Sequence, residues 1–224
     1  LTILDDPNRT NSAIGGAVLG PAALSSIPTL PLMSIGTQIE NGKNVIKRKD
    51  LVYMDGGGND FAIYLQSVLG DFSAVIVGGP TAFDFDNISA LFAAYDIGLP
   101  TKPTTLGGVQ TFFFQCDELF TTNILNLIKE NITMVSTQSE NCYFLDTSTT
   151  MKTTPFWTMA TYASIGAYAV IPGASTLLND IVLDIEFFLS KLGSDLISYY
   201  SSLNGVTILN AADLIQTYTS SLKN

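Results

Sequence analysis

The chain has 224 residues, with 10 basic against 20 acidic side chains, no histidine and a formal net charge of −10. Charged residues make up 13%, about half of the ~25% usual in soluble domains, while 46% of the chain is apolar, which suits a sizeable core rather than a mainly disordered state. The acidic balance argues against nucleic acid and an anionic membrane as partners, and the missing histidine excludes a Ser-His-Asp triad, a Cys-His dyad or a histidine zinc site from this chain alone.

In chain order, the first element legible as a strand is the apolar run 51–54, ended by the loop Asp55-Gly56-Gly57-Gly58. Asn59 and Asp60 then cap a helix expected to run to about Leu69. A second strand is expected over 73–77, stopped by Gly78-Gly79-Pro80. A helix capped by Asp86 or Asn87 follows through Tyr95, with Gly98 as its stop. Residues 109–115 read as a third strand, and Asp117 opens a helix to about Asn131. The Ser- and Thr-rich stretch 133–154 reads as irregular, or as a hairpin around Cys142. A further strand is expected at 167–171, closed by Pro172-Gly173. Residues 175–202 have apolar positions at helical spacing, with Gly193 expected to interrupt them. A strand at 206–209 and a helix over 211–222 complete the series.

Strand then helix, repeated, implies an α/β fold with a mostly parallel sheet covered on both faces. No Pro-, Gly- or Ser-rich linker divides the chain, so a single domain over 1–224 is expected, with an insertion around 80–160. The uncharged stretches 10–39 and 153–179 are broken by proline and glycine and read as core segments, so no transmembrane span is expected. Neither a signal peptide nor an initiating Met is visible, which suits a processed or trimmed product.

The 19 Ser, 24 Thr and 14 Asn supply the neutral polar coat that the few charges cannot, and this coat suits an extracellular or cell-surface protein. The basic cluster Lys47-Arg48-Lys49 reads as a solvated loop. Cys116 and Cys142 show no CxxC spacing, so no metal cluster is expected; they form one disulfide or remain two buried thiols, and the charge-poor composition favours the disulfide. The single Gly/Asp run 55–60 is too short for a calcium β-roll, and the acidic pairs Asp5-Asp6 and Asp84/Asp86 read as solvated caps. No cofactor is expected.

The sharpest local feature is Asp55-Gly56-Gly57-Gly58-Asn59-Asp60 at the carboxyl end of a strand, where open α/β sheets put their sites. An asparagine there either donates its amide to a developing oxyanion or merely caps the helix. Asn11-Ser12-Ala13-Ile14-Gly15-Gly16-Ala17, then Leu30-Pro31-Leu32 with Thr37-Gln38-Ile39, then the strand ending in Gly58-Asn59-Asp60, resemble in order the second block, the stretch after it and the third block of the SGNH/GDSL lipases and esterases. Residues 166–172 are similar to a later strand of that family.

The resemblance implies a three-layer sandwich. It also implies an oxyanion hole formed by the backbone N–H of Gly16, or of Gly15, and the side-chain amide of Asn59. It is absent through the middle of the chain. The family's G-D-S block, with its nucleophilic serine, and its D-x-x-H block have no counterpart, and Gly70-Asp71-Phe72-Ser73 falls in the wrong place to be the former. The expected function is therefore an ester or lipid hydrolase scaffold that is inactive as this chain alone. The alternative is a non-catalytic surface, filament or capsid protein that associates with copies of itself.

Overall fold

A computed structural model of the chain describes residues 17–21, 34–42, 46–78, 83–201, 203 and 205–214. They form a mixed α/β protein, mostly helical, with one small parallel sheet. The elements are α1 (Ile35–Gly42), β1 (Leu51–Asp55), α2 (Gly58–Gly78), α3 (Asp86–Ala94), a 3-10 turn (Leu106–Gly108), α4 (Val109–Ser136), β2 (Asn141–Asp146), α5 (Ser148–Met151), α6 (Pro155–Ala167), α7 (Ala174–Tyr200) and β3 (Val206–Asn210). Contacts divide the chain into two compact units. Unit 1 is Leu1–Asp60, Ile124–Thr149 and Gly193–Asn224; unit 2 is Phe61–Asn123 and Thr150–Leu192.

Unit 1 holds the sheet, in the order β1-β2-β3. Leu51 to Asp55 pair in parallel with Asn141 to Leu145, and Cys142 to Asp146 pair with Val206 to Asn210. Central β2 alternates strictly, burying Cys142, Phe144 and Asp146, as expected of a strand with one face on a core. Ile39 of α1 and Val135 of α4 pack on Cys142, with Val52, Met54 and Val206 around them. Gly205, at φ +79°, lets β3 begin against β2: a Cβ there would collide with the Glu140 carbonyl oxygen, so the glycine is obligatory. Lys47, Arg48 and Lys49 are exposed, as expected of a solvated loop, and Arg48 pairs with Glu140.

Unit 2 is helical. Phe120 of α4 stacks on Tyr64 and meets Phe61 and Tyr95 edge-on. The N-terminus of α3 is capped from α2: both oxygens of buried Asp71 are used, one accepting from the Asn87 backbone and side chain at 3.1 and 2.8 Å, the other from the Ile88 N–H at 2.8 Å. Thr154 caps α6 by accepting the Trp157 N–H at 3.2 Å, with Pro155 in the first turn.

Three expected strands are helix or turn instead. Residues 73–77 lie inside α2, because Phe61, Tyr64, Leu65, Val68, Phe72 and Val75 make one continuous buried stripe at helical spacing. Residues 109–115 open α4 for the same reason, with Val109, Phe112, Phe113, Cys116 and Phe120 buried in sequence. Residues 167–171 include the end of α6 and the turn after it, closed by Gly173 at φ +78°. Gly193 does not interrupt α7. The disulfide is not formed: Cys116 and Cys142 are both buried free thiols, packed as small apolar side chains in their helix and strand. The end of the expected last helix lies outside the described residues, of which 211–214 are helical.

Candidate functional site at the carboxyl edge of the sheet

The chain leaves β1 at Asp55 and enters α2 within three residues, so Asn59 and Asp60 occupy the first helical turn. Gly57, at φ +96°, makes that bend possible. Both side chains are bound to residues 17–20. The Asn59 amide donates to the Ala17 carbonyl at 2.8 Å. Asp60, fully buried, accepts the Leu19 N–H on both oxygens, at 3.0 and 3.1 Å, and the Gly20 N–H at 3.2 Å. The Val18 carbonyl in turn accepts the Ile35 N–H that opens α1. The loop after β1 and the residues directly after the Gly15-Gly16 doublet are thus one hydrogen-bonded assembly. A carboxamide nitrogen carries two hydrogens, and Ala17 takes one of them.

The other two strands end in polar side chains as well. The first oxygen of Asp146 accepts the Ser148 N–H at 2.9 Å, closing the turn from β2 into α5. Its second oxygen and the Ser148 hydroxyl are buried without a hydrogen-bond partner. Gly193 of α7 abuts both, since a Cβ there would lie 2.8 Å from the carboxylate oxygen and 2.9 Å from the hydroxyl. At the end of β3, the Asn210 side chain accepts the Ala212 N–H at 2.8 Å. The pair Asp146 and Ser148 escaped the sequence reading, because 133–154 looks irregular. The available signal was the short apolar run Cys142-Tyr143-Phe144-Leu145 ending on Asp146.

A separate polar cluster lies inside unit 2. The Tyr64 hydroxyl donates to Asp117 of α4, whose second oxygen is buried without a partner. Burial raises the Asp117 carboxyl well above the usual carboxylate range, Asp184 adds to the rise, and the Tyr64 hydrogen bond opposes it. Burial likewise raises the Tyr64 hydroxyl and the neighbouring Cys116 thiol, so neither is a ready nucleophile. Burial also raises Cys142, against a hydrogen bond with Ser139.

Of the residues expected to form the oxyanion hole, Asn59 is half-buried at the carboxyl edge of the sheet, while Gly16 and Gly15 lie outside the described residues. Gly70-Asp71-Phe72-Ser73, superficially like a nucleophile block, is mid-helix in α2, with Asp71 committed to capping α3. Asp5-Asp6 lie outside the described residues; Asp86 sits in the first turn of α3, and among the described residues no group of three or more Cys, Asp or Glu is arranged to hold a metal ion. Helix α2 is, among the described residues, long and apolar enough by length and composition to cross a membrane; it also carries the hydrogen-bonded, buried carboxylates Asp60 and Asp71.

Fold and site together define a mixed α/β protein whose parallel strands each lead into a hydrogen-bonding side chain. No protein-family model, curated protein or solved structure matches the chain.

Proposed function

We propose that the chain carries the oxyanion-stabilising part of an SGNH/GDSL-type hydrolase of carboxylic esters or lipids, on a three-layer α/β sandwich, and that alone it is inactive. The observation that carries this reading is the bond between Asn59 and Ala17, with Asp60 holding residues 19 and 20 beside it. The resemblance demands that its second and third blocks meet, and these contacts join the residue after Gly16 to Asn59.

In ester hydrolysis the carbonyl oxygen gains negative charge in the tetrahedral intermediate, and donors fixed in advance stabilise it. The remaining N–H of Asn59 is one such donor, and the backbone N–H of Gly16 is the other that the resemblance implies. Asp60 positions them by fixing residues 19 and 20. This chain has no histidine to take the proton from an attacking serine. The Ser148 hydroxyl, buried beside a carboxylate, lacks a base suited to that transfer. The nucleophile and base therefore come from outside these residues. An extracellular or cell-surface setting goes with this reading and rests on the neutral Ser, Thr and Asn coat, since both cysteines are free thiols. No nucleic-acid partner, cofactor or membrane span belongs to it.

The reading is tested in two steps. The purified chain should not turn over a p-nitrophenyl ester; turnover that Asn59→Ala abolishes, with no partner added, overturns the inactivity. The reading frame on either side should encode G-D-S upstream and D-x-x-H downstream. In the joined protein, Asn59→Ala should lower kcat by about 10²–10³. Absence of both blocks overturns the hydrolase.

A second reading, a self-associating surface protein, is favoured by α6. That helix carries no charged residue and exposes Phe156, Met159 and Tyr162. Sedimentation separates the two: concentration-dependent oligomers that disappear on Met159→Lys are expected only of the second.

A further inference from the structure

Unit 2 contains a cleft of about 640 Å³, formed where the C-terminal turn of α2, the 3-10 turn before α4 and the turn into α7 come together. That volume falls within the range of small-molecule sites. Its walls are mainly aliphatic: Val75 and Ile76 from α2, Leu106 from the 3-10 turn, and Ile171 and Leu177 around the start of α7. No charged side chain lines it. Its polar side chains are the hydroxyls of Thr104 and Thr105, both at one wall.

We propose that this cleft binds an uncharged aliphatic chain carrying one hydrogen-bonding end, such as a long-chain alcohol or ester. Three observations carry the assignment. The lining is aliphatic, with Phe83 its one aromatic ring, so no pair of rings exists to sandwich a flat ligand. A carboxylate or ammonium would be desolvated in the cleft with no opposite charge to meet, which is costly. The adjoining surface is apolar too: Val77 and Val170, each next in sequence to a lining residue, are 79% and 87% exposed, and Leu106 is 52% exposed. Apolar residues so exposed around an apolar cleft suit a hydrocarbon ligand that slides in from the surface. The threonine hydroxyls give its polar end one place to bond, which fixes the orientation of the chain.

The site stands on unit 2 alone and does not depend on the hydrolase reading. Gly107 makes it testable. It lines the cleft, its φ lies outside the left-handed region, and a Cβ there would meet nothing within 4 Å. Gly107→Phe therefore sets a ring at the wall of the cleft with no clash at its Cβ. Gly166→Phe, at another open position outside the lining, is the control. Titration calorimetry of the full chain with 1-decanol should show saturable binding at one site. Gly107→Phe should weaken it by about tenfold or more and Gly166→Phe should leave it unchanged, with both variants melting as the parent does. Decanoate at pH 8 should bind at least about tenfold more weakly than decanol. No decanol binding, equal binding by the two variants, or decanoate binding as tight as decanol overturns the proposal.

Discussion

Asp60→Asn isolates the contact on which the candidate site depends. The substitution keeps the side chain's shape and one carbonyl oxygen but turns the other acceptor into a donor. Asp60 serves two backbone donors, Leu19 at 3.0 and 3.1 Å and Gly20 at 3.2 Å, and is itself fully buried. The oxygen that takes both the Leu19 and the Gly20 N–H can be kept as the asparagine carbonyl, but without its charge, and the new NH2 group then faces the Leu19 N–H that the second oxygen had also accepted. A hydrogen bond to a charged acceptor contributes ~1.5–3 kcal/mol against ~1 for a neutral one, so two weakened bonds and one opposed pair of N–H groups make the loss about 2 kcal/mol. For a chain of this length that is a fall in Tm of about 6 °C. Thermal unfolding followed by circular dichroism reads it directly. Asp55→Asn, exposed at the end of β1, removes the same charge and should stay within ~0.5 kcal/mol of the parent. A shift below about 2 °C for Asp60→Asn, or equal shifts for the two variants, refutes the claim that this carboxylate holds residues 17–20 to the loop.

Gly193→Ala should destabilise the chain by ~1–3 kcal/mol in denaturant titration, although alanine is the better helix former, because its Cβ would press on Asp146 and Ser148. Adding Ser148→Ala should recover part of that loss. Asp117→Asn should weaken the pH dependence of stability. The folded carboxyl lies above its ordinary value of 3.8, so its contribution is fully present below that pH and is lost as pH rises through the raised value; the midpoint in urea, followed from pH 4 upward, should fall less in the variant. Thiol titration without reductant should find two thiols per unfolded chain and slow reaction of both in the folded one, since both are buried.

How far the fold was legible follows from what each segment's pattern can decide. β1, β3, α3 and α7 were read near their true places, because glycine and acidic residues bound them and their apolar spacing is unambiguous. The runs at 73–77 and 109–115 failed because the short apolar stretches inside them, 74–77 and 112–114, fit a strand or a buried helix equally well. What decides between them is the stripe outside the window, from Phe61 to Val75 in α2 and from Val109 to Phe120 in α4. Stripe packing overrides the β-branched preference of Val75, Ile76 and Val77. β2 failed in the opposite direction. Only Cys142, Phe144 and Asp146 face inward, one of them charged, and the flanking Ser and Thr hide so short an alternation. Gly193 misled because its role is set by an opposing side-chain pair 45 or more residues away in sequence.

The candidate site shows why such a feature is half legible. Each parallel strand leads into a bonded polar side chain: Asn59 and Asp60 in the helical turn after β1, Asp146 closing β2, Asn210 closing β3. A turn from strand to helix leaves backbone N–H groups without partners, and an acidic or amide side chain satisfies them locally. Asp146 and Asn210 do this for the residues two positions on. The same residue types at the same place are what a hydrolase needs to meet an oxyanion, so sequence spacing cannot separate the two roles. Bonding capacity narrows the choice. The Asn210 oxygen is spent on Ala212 and Asp213, and both Asp60 oxygens are spent on residues 19 and 20. Asn59 uses one amide hydrogen on Ala17 and has a second, at the carboxyl edge of a parallel sheet. Asn59 and Asn210 both keep an amide donor, but of these side chains Asn59 is the one bonded to the residue after Gly16, and that is why the functional reading rests on it.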